Sequence, residues 1–256
     1  MARTNSRYGW LPDLPDHRDY MYAAPPAVLA KLPSKVDLRP KCPPVLDQGQ
    51  LGSCTANAIA NAHRFDQMKE AVAKAFLPAR LFIYYNERAM EGTIDSDSGA
   101  MIRDGIKSIA KQGVCSESLW PYNIGRFKSR PAASAYKEAL KHQAISYQRL
   151  TMSLSQMKGC LAAGYPFVFG FTVYESFESQ AVAKSGKVPM PKHGEKSLGG
   201  HAVLGVGYND ASQQFIVMNS WSTKWGDKGF FYMPYAYLTS TGLASDFWTV
   251  RTVETS

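Results

Sequence analysis

The texture of this 256-residue chain changes near residue 143, and that change constrains the fold more than any single motif. Before it, apolar residues recur at helical spacing. Ala58, Ala62 and Phe65 share one face of a run over 54–70. Ile102, Ile106 and Ile109 share one face of 97–114, where Gly113 supplies a stop. Pro78 suits the first turn of a helix over 78–91. Shorter helices fit 134–143 and 153–163, the latter with Ser153 or Ser155 as its cap. After the change come "FVFGFTVY" (167–174), "HAVLGVGYN" (201–209), "QFIVMNSW" (214–221) and "GFFYMPY" (229–235), β-rich runs divided by glycine and polar turns. Helices followed by strands predict an α+β fold of two lobes, 32–145 mainly helical and 146–256 β-rich.

Residues 1–31 belong to neither lobe. Pro12, Pro15, Pro25 and Pro26 break regular structure, and Tyr8, Trp10, Leu11, Leu14, Tyr20 and Tyr22 are too apolar to leave in water. The segment has no core of its own, so it is expected to dock on the body as an extended arm.

Hydrophobic residues make up 45% and charged residues 20%, the balance of an ordinary globular protein. No apolar run approaches the roughly 18 residues of a membrane helix, and the N-terminus lacks a signal-peptide core. A soluble protein with no membrane partner is expected, cytoplasmic or exported by a non-standard route. The net charge of +8 reads as a solvated surface, because no basic-aromatic motif, zinc spacing or phosphate loop accompanies it. No nucleic-acid partner, metal or cofactor is expected. Cys42, Cys54, Cys115 and Cys160 contain no CxxC pair and are sparse for a disulfide scaffold, which favours thiols. His17, His63, His142 and His193 read as surface residues, and "PDHRDY" (15–20) as a solvated turn, with a metal or salt-bridge cluster as the alternative. The lysine-rich "VAKSGKVPMPKHGEKSLGG" (182–200) reads as a loop and, because it leads to His201, as a candidate rim or gate.

A cysteine nucleophile needs a lowered thiol pKa, a nearby base and donors for an oxyanion. Cys54 opens an alanine-rich helix, where unpaired N–H groups favour thiolate. His201 follows two glycines at the start of a β-run, and glycine there lets a substrate backbone approach. Asn219 ends another β-run and has a carbonyl to orient an imidazole. Gln48, on the loop entering the Cys54 helix, has an amide to donate to an oxyanion.

These stretches resemble the papain-like cysteine peptidases. "LPSKVDLRP" (32–40) is similar to the start of that family's mature domain, "GVCSESLWPY" (113–122) to the segment after its central helix, and "NSWSTKWGDKGFFYM" to its NSWG block. The resemblance spans about residues 32–248. It implies a papain-like fold with a helical left lobe, a β-barrel-like right lobe and a cleft between them. It also implies a Cys54 thiolate paired with a His201 imidazolium and a thioester intermediate. Gln48 and the Cys54 backbone N–H would hold the oxyanion, Asn219 would orient His201, and Trp221 would cover that contact. A protein or peptide substrate and a monomer are expected.

Several positions depart from the family pattern. Leu51 replaces a disulfide cysteine, Thr55 an aromatic, Ser222 a glycine, and Gly99–Ala100 a glycine pair. Gly99 and Ala100 are expected to pair antiparallel with substrate, beside Gly200. Met101, Ile102, Gly170 and Ala202 imply an apolar specificity pocket, whereas Asp246 on its floor would admit Arg or Lys. The short arm would restrain access to the cleft, as in a zymogen. A Cys-His acyltransferase, transglutaminase-like, and a silent peptide-binding module on the same fold are the alternative readings.

Overall fold

The computed structural model describes residues 8–71 and 75–253. Its central element is α2 (Cys54–Lys69), a 16-residue helix buried on almost every side. Ala56, Ala58, Ala60 and Ala62 keep its surface low, so both halves of the molecule can approach it closely. On one side stand α3 (Arg80–Glu91) and α4 (Ile102–Lys111), and on the other the strands β6 (Ser197–Asn209) and β9 (Ala244–Val253). The expected helix over 97–114 forms only from Ile102. Gly99 takes φ +76°, which breaks the helical path, and Ala100–Met101 are extended as β3. The last helix of this half is α5 (Ala133–Ala139), and the first of the next is α6 (Leu154–Ala162). Ser153 stands at the N-cap of α6 without a side-chain cap bond.

The second half is a seven-stranded sheet. Its order is β4 (Ala144–Arg149), β9, β5 (Phe167–Tyr174), β6, β7 (Gln214–Met218) and β8 (Phe230–Pro234), and β2 (Lys35–Asp37) pairs with the far end of β6. All of these pairings are antiparallel. The short helices α7 (Gln180–Ser185) and α8 (Tyr235–Leu238) lie outside the sheet; α7 overlaps the start of the lysine-rich segment read as a loop. Phe167, Phe169, Phe171, Phe177 and Phe247 form a continuous aromatic core, with Phe169 and Phe247 stacked at 5.6 Å. This is an α+β fold of two lobes. Among the described residues no helix is long and apolar enough to cross a membrane.

The arm docks on both lobes. Trp10–Leu11 form β1, which pairs with β3, and Pro26–Leu29 form the short α1. Trp10 and Tyr22 are buried, but Leu14 and Tyr20 remain 68% and 72% exposed, so only part of the arm's apolar surface is covered. Residues 1–7 of the expected arm lie outside the described residues. Two sequence expectations are corrected here. His63 is fully buried rather than on the surface; its Nε2 faces the His142 carbonyl at 3.2 Å. "PDHRDY" is an ion-pair cluster rather than a solvated turn, because Asp16 and Asp19 meet cations of the body.

Candidate active site

The helix start and the strand start expected to carry the chemistry meet in the fold. β5 and β6 pair with Phe171 opposite His201 and Gly170 opposite Ala202, which sets His201 within β6, a strand that packs against α2. The Ala202 N–H donates to Cys54 Sγ at 3.4 Å, so the residue after the histidine touches the sulfur. His201 Nε2 bonds Asn219 Oδ1 at 2.8 Å, and the Ser220 N–H donates to the same oxygen at 2.8 Å. An acceptor at Nε2 places the proton of a neutral ring there, which leaves Nδ1 as the basic nitrogen. Trp221 stacks on the imidazole at 4.8 Å, and Phe171 meets it edge-on at 5.7 Å.

Gln48 is held from the opposite lobe. Its Oε1 accepts from Ser220 Oγ at 2.7 Å, its backbone N–H donates to the Ser220 carbonyl at 2.9 Å, and its Nε2 donates to the Leu51 carbonyl at 2.9 Å. One loop thus ties the oxyanion candidate to the segment that carries Asn219. Arg80 steadies that loop, donating to the Asp47 carbonyl at 2.9 Å while pairing with Glu117 at 2.7 Å. Arg80 and Ser220 were not marked by the sequence, because their role depends on a loop that returns across the lobe boundary.

Two departures from the family pattern have physical consequences. Ser222 sits at φ +61°, left-handed backbone that glycine enters without cost. Thr55 donates to Glu87 at 2.6 Å behind the nucleophile, where an aromatic was expected. Glu87 is fully buried, and that burial pushes its carboxyl well above the ordinary range.

The expected low thiol pKa is not met while the arm is docked. Cys54 has no exposed surface, and burial pushes its thiol up to about 12. The donors that favour thiolate, the Ala202, Gly9 and Thr55 N–H groups, do not offset that desolvation. Cys42, Cys115 and Cys160 are also free thiols, held up by burial at about 12, 12 and 11.

The arm fills the cleft. The Ala100 N–H donates to the Gly9 carbonyl at 2.8 Å. A Cβ on Gly9 would lie 1.7 Å from the Gly52 carbonyl oxygen, and one on Gly99 would lie 2.2 Å from the Gly9 oxygen. Trp10 occupies the expected specificity pocket. A Cβ on Gly170 would lie 2.0 Å from its indole, and one on Gly200 would lie 2.6 Å from it. The indole N–H donates to Asp246 Oδ2 at 3.2 Å. Tyr8 lies on the other side of the sulfur, over His201 and Trp221, and its hydroxyl donates to Glu178. Met101 borders the groove half-buried, whereas Ile102, expected to line the pocket, is fully buried in the core behind it. Ala202 is buried beneath the sulfur. β1 runs parallel to β3, the opposite sense to the antiparallel pairing expected of a substrate.

Among the described residues no group of histidines, cysteines and carboxylates could hold a metal ion. Residues 32–250 match the family model described as papain family cysteine protease. The chain is 43% identical over 270 residues to an uncharacterized peptidase C1-like protein of Acanthamoeba polyphaga mimivirus, covering 96% of this chain and 87% of that one. Among solved structures it is similar to xylellain, a cysteine protease from Xylella fastidiosa, with 44% identity, 98% of each chain covered and a TM-score of 0.92. ProCathepsin B S9 from Trypanosoma congolense shares the fold at 18% identity, over 98% of this chain and 87% of that one, with a TM-score of 0.79.

Proposed function

Because this chain belongs to the papain family of cysteine proteases, and is therefore a papain-like cysteine peptidase, we propose that Cys54 and His201 perform the hydrolysis and that the arm holds the enzyme closed until it is displaced. With the cleft open, water and charge reach the site, and Cys54 passes its proton to His201 Nδ1. The thiolate attacks the peptide carbonyl carbon. The oxyanion accepts from the Cys54 backbone N–H and from the second amide N–H of Gln48. As the C–N bond breaks, His201 returns the proton to the leaving amine, and a thioester remains on Cys54. His201 then takes a proton from water, whose oxygen attacks the thioester. The carboxylic acid leaves and Cys54 departs as thiolate. Asn219 fixes the ring through Nε2 in both half-reactions.

The observation that carries the closed-state reading is the polarity of the arm. Cys54 Sγ accepts a hydrogen bond from the Gly9 N–H, and the strand passes Ala100 in the reverse sense to a substrate. A chain laid this way blocks the nucleophile without being cut.

The test uses the full chain carrying Gly9→Val, which cannot seat against Gly52, with internally quenched peptides and an added amine. Hydrolysis to free acid is expected, and it disappears when Cys54→Ala is added. Product formed only by transfer to the amine, or hydrolysis that persists without Cys54, contradicts the proposal.

A further inference from the structure

The slot that Gly9 fills is one backbone wide. On one wall the Gly9 carbonyl accepts from the Ala100 N–H at 2.8 Å, and on the other a Cβ on Gly9 would lie 1.7 Å from the Gly52 carbonyl oxygen. A peptide paired along Ala100 crosses the same slot to reach Cys54. The spacing of the two walls therefore decides where its carbonyl carbon comes to rest. One wall is β3, and the other is the nucleophile loop, residues 48–53. No disulfide joins them, because all four cysteines are free thiols and Leu51 stands where the family pattern has a cysteine.

Asp97 joins them instead. Its carboxylate accepts the Gly52 N–H, at 3.0 Å from Oδ1 and 3.2 Å from Oδ2. Oδ1 also accepts from the Tyr84 hydroxyl at 2.5 Å, and that hydroxyl in turn accepts from the Gly99 N–H at 3.2 Å. The bonds run from the residue before β3, through Tyr84 and Asp97, to the residue two before Cys54. Gly52 permits the approach, since a Cβ there would lie 3.0 Å from Asp97 Oδ1. Tyr84 is fully buried in α3. Burial first and Asp97 second push its hydroxyl well above the ordinary range, so it stays a donor. Arg88, one turn along α3, donates to the Ile94 carbonyl at 2.7 Å and to the Ser96 carbonyl at 3.1 Å, which fixes the turn that presents Asp97. The reactive groups have supports of their own: Asn219 holds His201, and Ser220 holds Gln48.

We propose that Asp97 is a positioning residue for peptide hydrolysis: by tying Gly52 directly and Gly99 through Tyr84, it fixes the gap across which a peptide on β3 meets Cys54. It acts through the two walls and not on the sulfur. Its bonds are charge-assisted, so they hold the gap more firmly than neutral ones would. The inference rests on the peptidase reading above.

The test places Asp97→Ala, Asp97→Asn and Tyr84→Phe in the full-length Gly9→Val chain and follows two reactions. One is cleavage of an internally quenched octapeptide, which needs both walls. The other is alkylation of Cys54 by a small thiol-directed epoxide, which needs only the sulfur and His201. For Asp97→Ala, kcat is expected to fall by up to about 100-fold, the cost of a misplacement near 1 Å, with a smaller change in KM. Alkylation is expected to stay within about twofold of the parent, because the reactive pair is held independently. Asp97→Asn keeps an acceptor oxygen for both donors and is expected to recover most of the loss, ending about tenfold below the parent. Parent-level turnover in Asp97→Ala overturns the inference. So does an equal fall in turnover and alkylation, which would make Asp97 a support of the fold alone, or an Asn variant as slow as the Ala variant. If Asp97→Ala does not fold, Asp97→Asn and Tyr84→Phe decide: each is expected to lower kcat/KM about tenfold with alkylation unchanged, and turnover equal to the parent's overturns the inference. A parent that neither cleaves the peptide nor labels at Cys54 sinks the peptidase reading, and the inference with it.

Discussion

The front and the rear of the arm are held by different physics. Residues 8–11 are held by shape: Gly9 fits between Gly52 and Gly99 with no room for a Cβ, and Trp10 fills a pocket walled by Gly170 and Gly200. Residues 13–19 are held by charge, through Arg103, Lys107 and Arg149. Only the front touches the nucleophile, whereas the rear sits on those cations. If the arm closes the enzyme as proposed, blocking and anchoring are separate tasks, one insensitive to the solvent and one tuned by it.

Gly9→Val attacks the front alone. Its side chain would collide with backbone at Gly52, and overpacking of this kind costs about 1–3 kcal/mol. Peptide turnover by the full chain is expected to rise by up to about 100-fold. No rise would mean that the front does not block. Asp19→Asn attacks the rear while keeping the shape. It replaces charge-assisted bonds to two guanidiniums with neutral ones, so a rise of about tenfold is expected in the same assay. If Asp19→Asn exceeds Gly9→Val, the division between blocking and anchoring is wrong.

Acidity separates the two segments further. In the docked arm, burial first and the Asp246 charge second push Asp13 up to about 6, against an ordinary 3.8. A carboxyl that binds its proton more tightly when docked favours docking as pH falls from about 6 toward 3.8, and this contribution is lost as pH rises through 6. Asp19 behaves oppositely. Burial raises it, but Arg103 and Arg149 outweigh burial and hold it below the ordinary range, so its contribution is lost only below about pH 4. Between pH 7 and pH 5 the rear therefore tightens. The ratio of epoxide labelling in wild type to that in Asp13→Asn is expected to fall about fivefold across that interval. A constant ratio removes Asp13 from the anchor. The smallest effect expected is that of salt. Raising ionic strength from 0.1 to 0.5 M speeds wild-type labelling by about threefold and leaves Gly9→Val unchanged, because the half-buried Lys107 and Arg149 pairs are partly screened and a steric fit is not.

Much of the fold was legible where burial faces one side. The spacing of Ile102, Ile106 and Ile109 marked α4, and the runs around Phe169 and Val203 marked β5 and β6. β4 and β9 were missed for opposite reasons. β4 is half-exposed along most of its length and depends on its ladder to β9, whereas β9 is buried almost continuously and is bent at Asp246, so neither alternates. At the site, Cys54 opens α2 and Asn219 directly follows β7, so their placement follows from element ends, whereas Gln48 lies on a loop and His201 inside β6, and only the resemblance singled them out. Asp246 was read as a pocket carboxylate, but its pairing with Arg149 and its bonds to the arm were not, since they join residues 13, 149 and 246. The thiol of Cys54 shows two opposed pulls. Its helix position argues for thiolate, and only the folded arm reveals the burial that prevails over it.

The most direct test of the covered nucleophile is the rate and site of alkylation by a thiol-directed epoxide, followed by intact and peptide mass in the wild-type chain, Gly9→Val, and Gly9→Val with His201→Ala. The account predicts a single adduct on Cys54, slow in the wild type, much faster when Gly9 is replaced, and slow again when His201 is lost. Adducts spread over Cys42, Cys115 and Cys160, or labelling of Cys54 at one rate in all three proteins, would contradict it.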